Sequence, residues 1–163
     1  MRLRFWFLLP ARVWLALLLA APMVIVCAYS ALTRGRHQNH LHIARAGHDA
    51  PLLYRATDQS VTPLKPPGMA VGIDSGDVFD RITRDFPVEL DRGDCLIFYT
   101  DGVTEALDGK GNEFTAERMI ESVRASARKD ASAVITQLIE DMRTFVGSHP
   151  QNDDITLIVI RKT

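Results

Sequence analysis

Two acidic positions stand at the ends of two short apolar runs. Asp101 follows the run 95–100, and Asp153, with Asp154 beside it, precedes the run 155–160. Each run has the length and composition of a buried β-strand, so each acid would be delivered to the rim of a sheet. A carboxylate next to a buried strand needs a cation or a hydrogen-bond donor to offset its desolvation. The pair therefore predicts a site for a hard cation.

Mg²⁺ and Mn²⁺ suit carboxylate oxygens at such a rim. Two such ions can share and acidify a water molecule and direct it at a phosphorus atom, which hydrolyses a phosphoester without a covalent enzyme intermediate. The chain has no local Ser-His-Asp or Cys-His motif and no Gly-rich phosphate loop, so metal-assisted hydrolysis is the enzyme class that the residues permit. The competing interpretation is structural, because Asp also ends strands through its preference for turns.

Charge is divided unevenly along the 163 residues. Six of the nineteen basic residues lie at or before Arg45, and every one of the twenty acidic residues lies at or after Asp49, so positions 46–163 carry thirteen basic against twenty acidic residues, a net charge of −7. An acidic body argues against nucleic acid as a partner, since phosphate backbones are bound by clustered Lys and Arg. Cys27 and Cys95 fall in apolar runs, which predicts no disulfide and an intracellular body.

The N-terminal segment is apolar, and three interpretations of it are open. Val13–Leu32 is uncharged and just long enough to cross a bilayer, although Pro22 would kink a helix there. It could be a membrane anchor through residues 13–32, a secretory signal cleaved near Ala28-Tyr29-Ser30, or the product of a wrongly chosen start or shifted reading frame. The first interpretation predicts an N-terminal apolar helix and a membrane-associated protein with a cytoplasmic body, and the third a cytoplasmic protein.

Short strands dominate the middle of the chain. We expect strands at 40–46 and 51–55, a proline-interrupted loop at 60–67, and close backbone packing at 68–73, where small residues gather. Partial alternation predicts a half-buried strand at 80–90, and a turn at 91–94 would join it to the run at 95–99 as an antiparallel hairpin.

Two amphipathic helices follow, and a strand closes the chain. Thr115 would cap the first helix, and Asp130 the second, which would stop near Gly147. Their apolar residues recur at intervals of three and four, the pattern of helices that pack on a core. Consecutive strands together with two adjacent helices indicate an α+β domain with a largely antiparallel sheet.

Four motifs, in order, resemble the PPM-type serine/threonine phosphatases of the SpoIIE/RsbU branch, over about residues 39–163. They are Arg45-Ala46-Gly47-His48-Asp49-Ala50-Pro51, Gly68-Met69-Ala70-Val71-Gly72-Ile73, Gly93-Asp94 leading to Tyr99-Thr100-Asp101-Gly102-Val103-Thr104-Glu105-Ala106, and Asp153-Asp154-Ile155-Thr156-Leu157. The resemblance divides the chain into an N-terminal segment and linker, 1–38, and the C-terminal part of a phosphatase domain, 39–163. It implies a sandwich of antiparallel sheets flanked by helices, with a binuclear Mn²⁺ or Mg²⁺ centre.

Carried onto this sequence, the resemblance makes Asp101 and Asp153 metal ligands. Gly102, Asp154 and Glu105 are weaker candidates, and the alternative for Glu105 is a residue that only orders its loop. Thr115 stands where the family usually has glycine, a departure that we expect to be harmless.

The family's N-terminal Asp motif, whose carboxylate bridges the two metals, has no counterpart here, because no acid precedes Asp49. The resemblance implies hydrolysis of phosphoserine or phosphothreonine on a protein such as an anti-sigma-factor antagonist, with little or no turnover by this chain alone. The alternative function is a noncatalytic, membrane-tethered binding module that retains the surface of the fold.

Overall fold

The computed structural model describes residues 28–29, 40–70, 72–73 and 76–163. Within them the chain forms two antiparallel sheets and four helices, an α+β architecture. The strands are β1 Ala28–Tyr29, β2 His40–Ile43, β3 Leu52–Tyr54, β4 Val61–Pro63, β5 Phe86–Glu89, β6 Cys95–Tyr99 and β7 Leu157–Arg161. The helices are α1 Asp77–Ile82, α2 Asp101–Thr104, α3 Thr115–Ser126 and α4 Ala131–Val146. Sheet A has the order β1-β2-β5 and sheet B the order β4-β3-β6-β7.

Strand β6 lies in the middle of sheet B and is largely buried. It pairs antiparallel with β3 on one side, Leu52 opposite Ile97, and with β7 on the other, Tyr99 opposite Leu157. Four of its five residues are buried, and full burial of a side chain such as Leu or Ile stabilises a fold by about 1.5–3 kcal/mol. The predicted strand at 95–99 is therefore confirmed.

The two faces of β6 belong to two separate apolar cores, because side chains alternate across a strand. Cys95 and Ile97 face helices α3 and α4 in one core. Leu96 and Phe98 lie in the other core, which includes Ile43 of sheet A. Sheet B is thus the middle layer between sheet A and the helices, and both of its faces are covered along β6.

The two long helices confirm the predicted core-packing pattern and one of the two predicted caps. The Asp130 side chain accepts a hydrogen bond from the Ala133 N–H at 2.8 Å, and α4 ends at Val146, directly before Gly147. Helix α3 lacks a side-chain cap, so the Thr115 cap prediction is wrong. The Thr115 backbone has φ 68, which β-branched side chains disfavour. Threonine in place of glycine at position 115 is therefore a source of backbone strain, and the expectation that this departure is harmless is wrong.

The hairpin predicted between β5 and β6 does not form. Strand β5 pairs with β2 in sheet A, Leu41 opposite Val88, whereas β6 belongs to sheet B. The predicted turn at 91–94 is present, with the Asp94 N–H donating to the Asp91 carbonyl at 3.0 Å. This turn carries the chain from β5 in sheet A to β6 in sheet B, where β6 is flanked by β3 and β7. Val88 of β5 packs in the core between the two sheets.

Two further boundaries differ from those predicted. Residues 80–82 lie in α1, a helix with no buried residue, and only the second half of the expected strand at 80–90 forms β5. Part of the expected loop at 60–67 forms β4, which stands at the edge of sheet B, where Pro63 can be tolerated because an edge strand has one unpaired side. Close packing near 68 is confirmed, since a Cβ on Gly68 would lie 1.8 Å from the Arg45 carbonyl oxygen.

The predicted N-terminal apolar helix lies outside the described residues except at Ala28–Tyr29. Those two residues form β1, with Ala28 opposite Ile43 and Tyr29 opposite His42, so at this point the expected helix is replaced by a strand of sheet A. In the described part of the chain, no helix combines the length and apolar composition needed to cross a bilayer.

Candidate metal centre

The antiparallel pairing of β6 and β7 brings the two predicted acidic segments to one edge of sheet B, which we call the acidic rim (100–102 and 153–156). The C-terminal end of β6 and the N-terminal end of β7 are neighbours, since Tyr99 pairs with Leu157. Asp101 follows the first and Asp153 precedes the second. Both side chains are exposed, so their carboxylates are available to an ion from solvent.

Thr100 ties the two segments of the acidic rim together. Its hydroxyl donates to the Asp154 carbonyl oxygen at 2.9 Å and accepts from the Thr156 N–H at 2.9 Å. Its own N–H donates to the Thr156 carbonyl at 3.2 Å. One side chain therefore continues the pairing of β6 with β7 one step beyond the strand ends and fixes how far apart the two acidic segments stand.

Gly102 allows the close contact between those segments. A Cβ at this position would lie 2.6 Å from the Asp154 carbonyl oxygen and 3.4 Å from the Asp153 carbonyl carbon. The first distance is shorter than a carbon–oxygen contact tolerates, so any side chain would displace the segment 153–154. Gly102 is buried, and its backbone rather than a side chain forms this part of the acidic rim.

Each acid is oriented by the backbone immediately after it. The Gly102 N–H donates to Asp101 Oδ1 at 3.0 Å, and the Asp154 N–H donates to Asp153 Oδ1 at 2.7 Å. Gln151 Nε2 donates to the Asp153 carbonyl at 2.7 Å and so holds the loop that carries it. These bonds engage one oxygen of each carboxylate and hold it in place.

The oxygen chemistry of the acidic rim fits a hard cation, but the number of ligands is small. Mg²⁺ is commonly bound through one or two carboxylates and keeps several water molecules, a demand that Asp101 and Asp153 can meet. Among the described residues, no three Asp, Glu, His or Cys side chains converge closely enough to hold a metal ion. The donors therefore fit one weakly held ion, and the assignments of Asp101, Asp153, Gly102 and Asp154 as ligands stay predictions.

The two lower-ranked acids differ in their surroundings. Asp154 is exposed, and its carbonyl is engaged by Thr100. Glu105 follows α2, its N–H donates to the Asp101 carbonyl at 2.8 Å, and its side chain faces a neighbouring cleft. Both interpretations of Glu105, as a ligand and as a residue that orders its loop, stay predictions.

Asp49 is a residue near the acidic rim that sequence reasoning missed. Burial, and to a lesser degree the negative charge of Asp49, raise the pKa of Tyr99 to about 12. Tyr99 directly precedes Thr100 and Asp101, so Asp49 approaches the same edge of the sheet from the β3 side. The pairing of Leu52 with Ile97 explains this position, since continuing that register places Asp49 opposite Thr100. Only the pairing partner of β3, which the local pattern does not reveal, could have disclosed it.

Asp94 anchors the start of β6 at the opposite end from the acidic rim. It is 1% exposed, accepts from Arg55 Nη1 at 2.7 Å and from the N–H groups of Ala56 and Asp91 at 2.8 and 3.0 Å. Burial pushes the pKa of Asp94 upward, but these hydrogen bonds and the Arg55 charge outweigh it and hold the pKa below its usual value. The residue is structural rather than part of the candidate metal centre.

Comparison with protein families and curated proteins gives a consistent result. The family model described as stage II sporulation protein E (SpoIIE) matches residues 15–163, a range that begins before the motifs do. The phosphoserine phosphatase RsbU of Bacillus subtilis (strain 168) is 27% identical over 144 residues, which cover 87% of this chain and 40% of that protein. Protein IcfG of Synechocystis sp. is 32% identical over 123 residues, 74% of this chain and 18% of that protein. The chain thus spans less than half of either relative.

Solved structures share the fold. The SiaA-PP2C domain of Pseudomonas aeruginosa superposes with a TM-score of 0.64 at 25% identity, over 77% of this chain and 47% of that chain. The structure of the PP2C phosphatase domain of SpoIIE from Bacillus subtilis, with a fragment of its regulatory domain, gives a TM-score of 0.57 at 20% identity, over 75% and 34%. Both agree with the two antiparallel sheets and flanking helices described above.

Proposed function

This chain belongs to the SpoIIE family of PPM-type serine/threonine phosphatases, and we propose that its acidic rim serves the metal-dependent hydrolysis of phosphoserine or phosphothreonine on a protein. The observation that carries the proposal is the pairing of β6 with β7, which sets Asp101 and Asp153 on one edge of sheet B. The similarity to RsbU, a phosphoserine phosphatase, supports the reaction class. An anti-sigma-factor antagonist is the substrate class that the resemblance suggests.

In the proposed site Asp101 and Asp153 hold Mg²⁺ or Mn²⁺, with Gly102 and Asp154 as further candidates. When bound, such an ion supplies Lewis-acid polarisation of a phosphoryl oxygen and a water of lowered pKa. Thr100 and Gly102 keep the two acidic segments at a fixed separation. Hydrolysis forms a bond between a water oxygen and phosphorus as the bond between phosphorus and the serine or threonine oxygen breaks. Inorganic phosphate is released, and the leaving oxygen takes a proton to become the hydroxyl of the restored side chain.

Metal binding and turnover test the proposal together. We expect Mn²⁺ affinity, measured by calorimetric titration, to fall at least about tenfold in Asp101→Asn and in Asp153→Asn, because each loses an anionic ligand. Asp85→Asn, which changes an exposed acid outside the rim, is the matched control. In the described part of the chain, no three Asp, Glu, His or Cys side chains come together to hold a metal ion. We therefore expect hydrolysis of a phosphoserine peptide by this chain alone to be slow.

Two outcomes would contradict the proposal. Equal Mn²⁺ affinity in the Asp101→Asn, Asp153→Asn and Asp85→Asn variants would remove the metal assignment. Turnover of a phosphoserine peptide that persists unchanged in both rim variants would show that any phosphatase activity arises elsewhere in the chain.

For localisation we propose that residues 39–163 work in the cytoplasm, where the phosphoproteins of the suggested class occur. The buried free thiol of Cys95 supports a reducing compartment. Fractionation of cells expressing the full chain, followed by a carbonate wash, tests this. Retention in the washed membrane fraction would instead favour an anchor in residues 13–32.

A further inference from the structure

A cleft of about 640 Å³ opens directly beside the acidic rim. Its walls come from the turn after β6, the loop around residues 106–113, the C-terminal half of α4 and the loop 147–155 that leads to β7. Gly102 and Asp153 line the cleft as well as the acidic rim. A molecule bound in the cleft would therefore extend from the same point at which the phosphoester is proposed to react.

The size of the cleft exceeds what a phosphorylated side chain needs. Ligand pockets of roughly 300–1,000 Å³ enclose molecules of drug size, which corresponds to several amino-acid residues. The candidate metal centre needs only the phosphoryl group at the acidic rim. The remaining volume is available to the polypeptide on one side of the phosphorylated residue.

The cleft has an apolar floor, and its charged lining consists of one guanidinium, Arg143, and three carboxylates, Glu105, Glu113 and Asp153. Ile139, Met142 and Val146 of α4 contribute apolar side chains. Arg143, exposed on the same helix, lies on one wall, and Glu113 contributes to the wall formed by the loop after α2. An Arg guanidinium keeps its charge and binds a carboxylate through two parallel hydrogen bonds, so it selects acidic side chains with defined geometry.

We propose that this cleft is the specificity site for the polypeptide flanking the phosphorylated residue, taking an apolar side chain on the α4 floor and an acidic side chain against Arg143. The inference rests on the proposed phosphatase function for its place beside the reacting group. It assigns Arg143, which lies outside the candidate metal centre, the role of selecting the substrate by charge.

Peptide binding with the metal chelated tests the proposal without requiring turnover. The probes are short fluorescein-labelled phosphoserine peptides in which one leucine and one glutamate occupy each pair of flanking positions in turn, and binding is followed by fluorescence anisotropy. For the peptide that binds best, we expect glutamate-to-lysine exchange to weaken binding to the unmodified chain roughly fivefold, the range of one exposed charge pair. Leucine-to-glycine exchange should also weaken it.

The decisive part of the experiment reverses the charge of Arg143 on the protein. Arg143→Glu should reverse the preference, so that the lysine peptide binds roughly fivefold better than the glutamate peptide. Arg124→Glu is the matched control, because Arg124 is also an exposed arginine in the last turn of a helix and does not line the cleft. It should leave the preference unchanged. Circular dichroism of both variants checks that the fold is retained.

The outcomes separate this inference from the proposed function. A folded Arg143→Glu variant that keeps the preference for glutamate, equal effects of Arg143→Glu and Arg124→Glu, or no binding of any peptide would overturn the specificity site. Hydrolysis of a small phosphoester such as p-nitrophenyl phosphate, measured with Mn²⁺, reports on the acidic rim alone. Hydrolysis that persists unchanged in Asp101→Asn and Asp153→Asn, together with an intact, reversible charge preference, would refute the proposed role of the acidic rim and leave the binding site standing.

Discussion

Removing the Asp94 carboxylate should destabilise the fold more than any exposed acidic substitution. Asp94 is 1% exposed and accepts hydrogen bonds from Arg55, Ala56 and Asp91. In Asp94→Ala the two backbone N–H groups lose their acceptor, and a buried unsatisfied donor costs about 1–3 kcal/mol. Arg55 is 33% exposed on its side chain, so water recovers part of its loss. We expect a net loss of about 3 kcal/mol, a large part of the roughly 5–15 kcal/mol that stabilises a typical domain.

Urea unfolding followed by circular dichroism measures this change. Asp94→Asn keeps one acceptor oxygen and the shape of the side chain, so it should lose roughly half as much free energy of unfolding as Asp94→Ala. Asp85→Ala, at an exposed position, should stay within about 0.5 kcal/mol of the unmodified chain. The reasoning is refuted if Asp94→Ala and Asp85→Ala lower the unfolding free energy equally.

The same network gives a pH dependence with a definite sign. The pKa of Asp94 is lower in the folded chain than the roughly 3.9 of an unfolded Asp, so its contribution to stability is complete above that value. The contribution is lost as the pH falls through the folded pKa, because the unfolded state then binds the proton more readily. The difference in unfolding free energy between the unmodified chain and Asp94→Asn should therefore shrink on acidification below about pH 4. A difference that grows would contradict the assignment.

Three further predictions follow from local geometry. Thr115→Gly should raise the unfolding free energy by about 1 kcal/mol in urea titrations, because φ 68 disfavours a β-branched residue; a lower midpoint would contradict this. Gly102→Ala should cost about 2 kcal/mol and speed amide hydrogen exchange at Thr156, since its Cβ would meet the Asp154 carbonyl; unchanged exchange would count against it. Burial and the Asp49 charge raise the pKa of the Tyr99 phenol to about 12; we expect ultraviolet titration to show a lower pKa in Asp49→Asn, and no change would place the Asp49 charge elsewhere.

The elements that the sequence predicts well are those defined by their own composition. The runs at 95–99 and 155–160 and the two amphipathic helices each carry a continuous or periodic apolar pattern, and the structure contains a strand or helix at each place. The Asp130 cap is also local, because its partner is the Ala133 N–H three residues away. Such features depend on contacts within one element or one face of it.

Two of the errors concern partners that are distant in sequence. A short turn between two apolar segments predicts a hairpin, yet β5 pairs with β2 and β6 with β3 and β7. A β5–β6 hairpin and the observed strand pairings would both satisfy the backbone hydrogen bonds. The observed pairings place Val88 and Leu96 in the core between the two sheets, and that packing decides between them. The apolar residues Ala28–Tyr29 likewise suit a membrane helix or a strand, and only their pairing with β2 distinguishes the two.

The candidate site depends both on local residue types and on strand pairing between distant segments. The sequence therefore predicts only part of it. Each residue of the segment Thr100-Asp101-Gly102 has a different role. The Thr100 hydroxyl bonds to the segment before β7, the Asp101 carboxylate offers oxygen to an ion, and Gly102 leaves room for the Asp154 backbone. Each role can be inferred from the residue type once β7 is known to be the neighbour of β6. The contribution of Asp49 is different, because its own segment has no feature that points toward β6. Residues that act through strand register therefore remain hidden in a local motif even when the motif identifies the family.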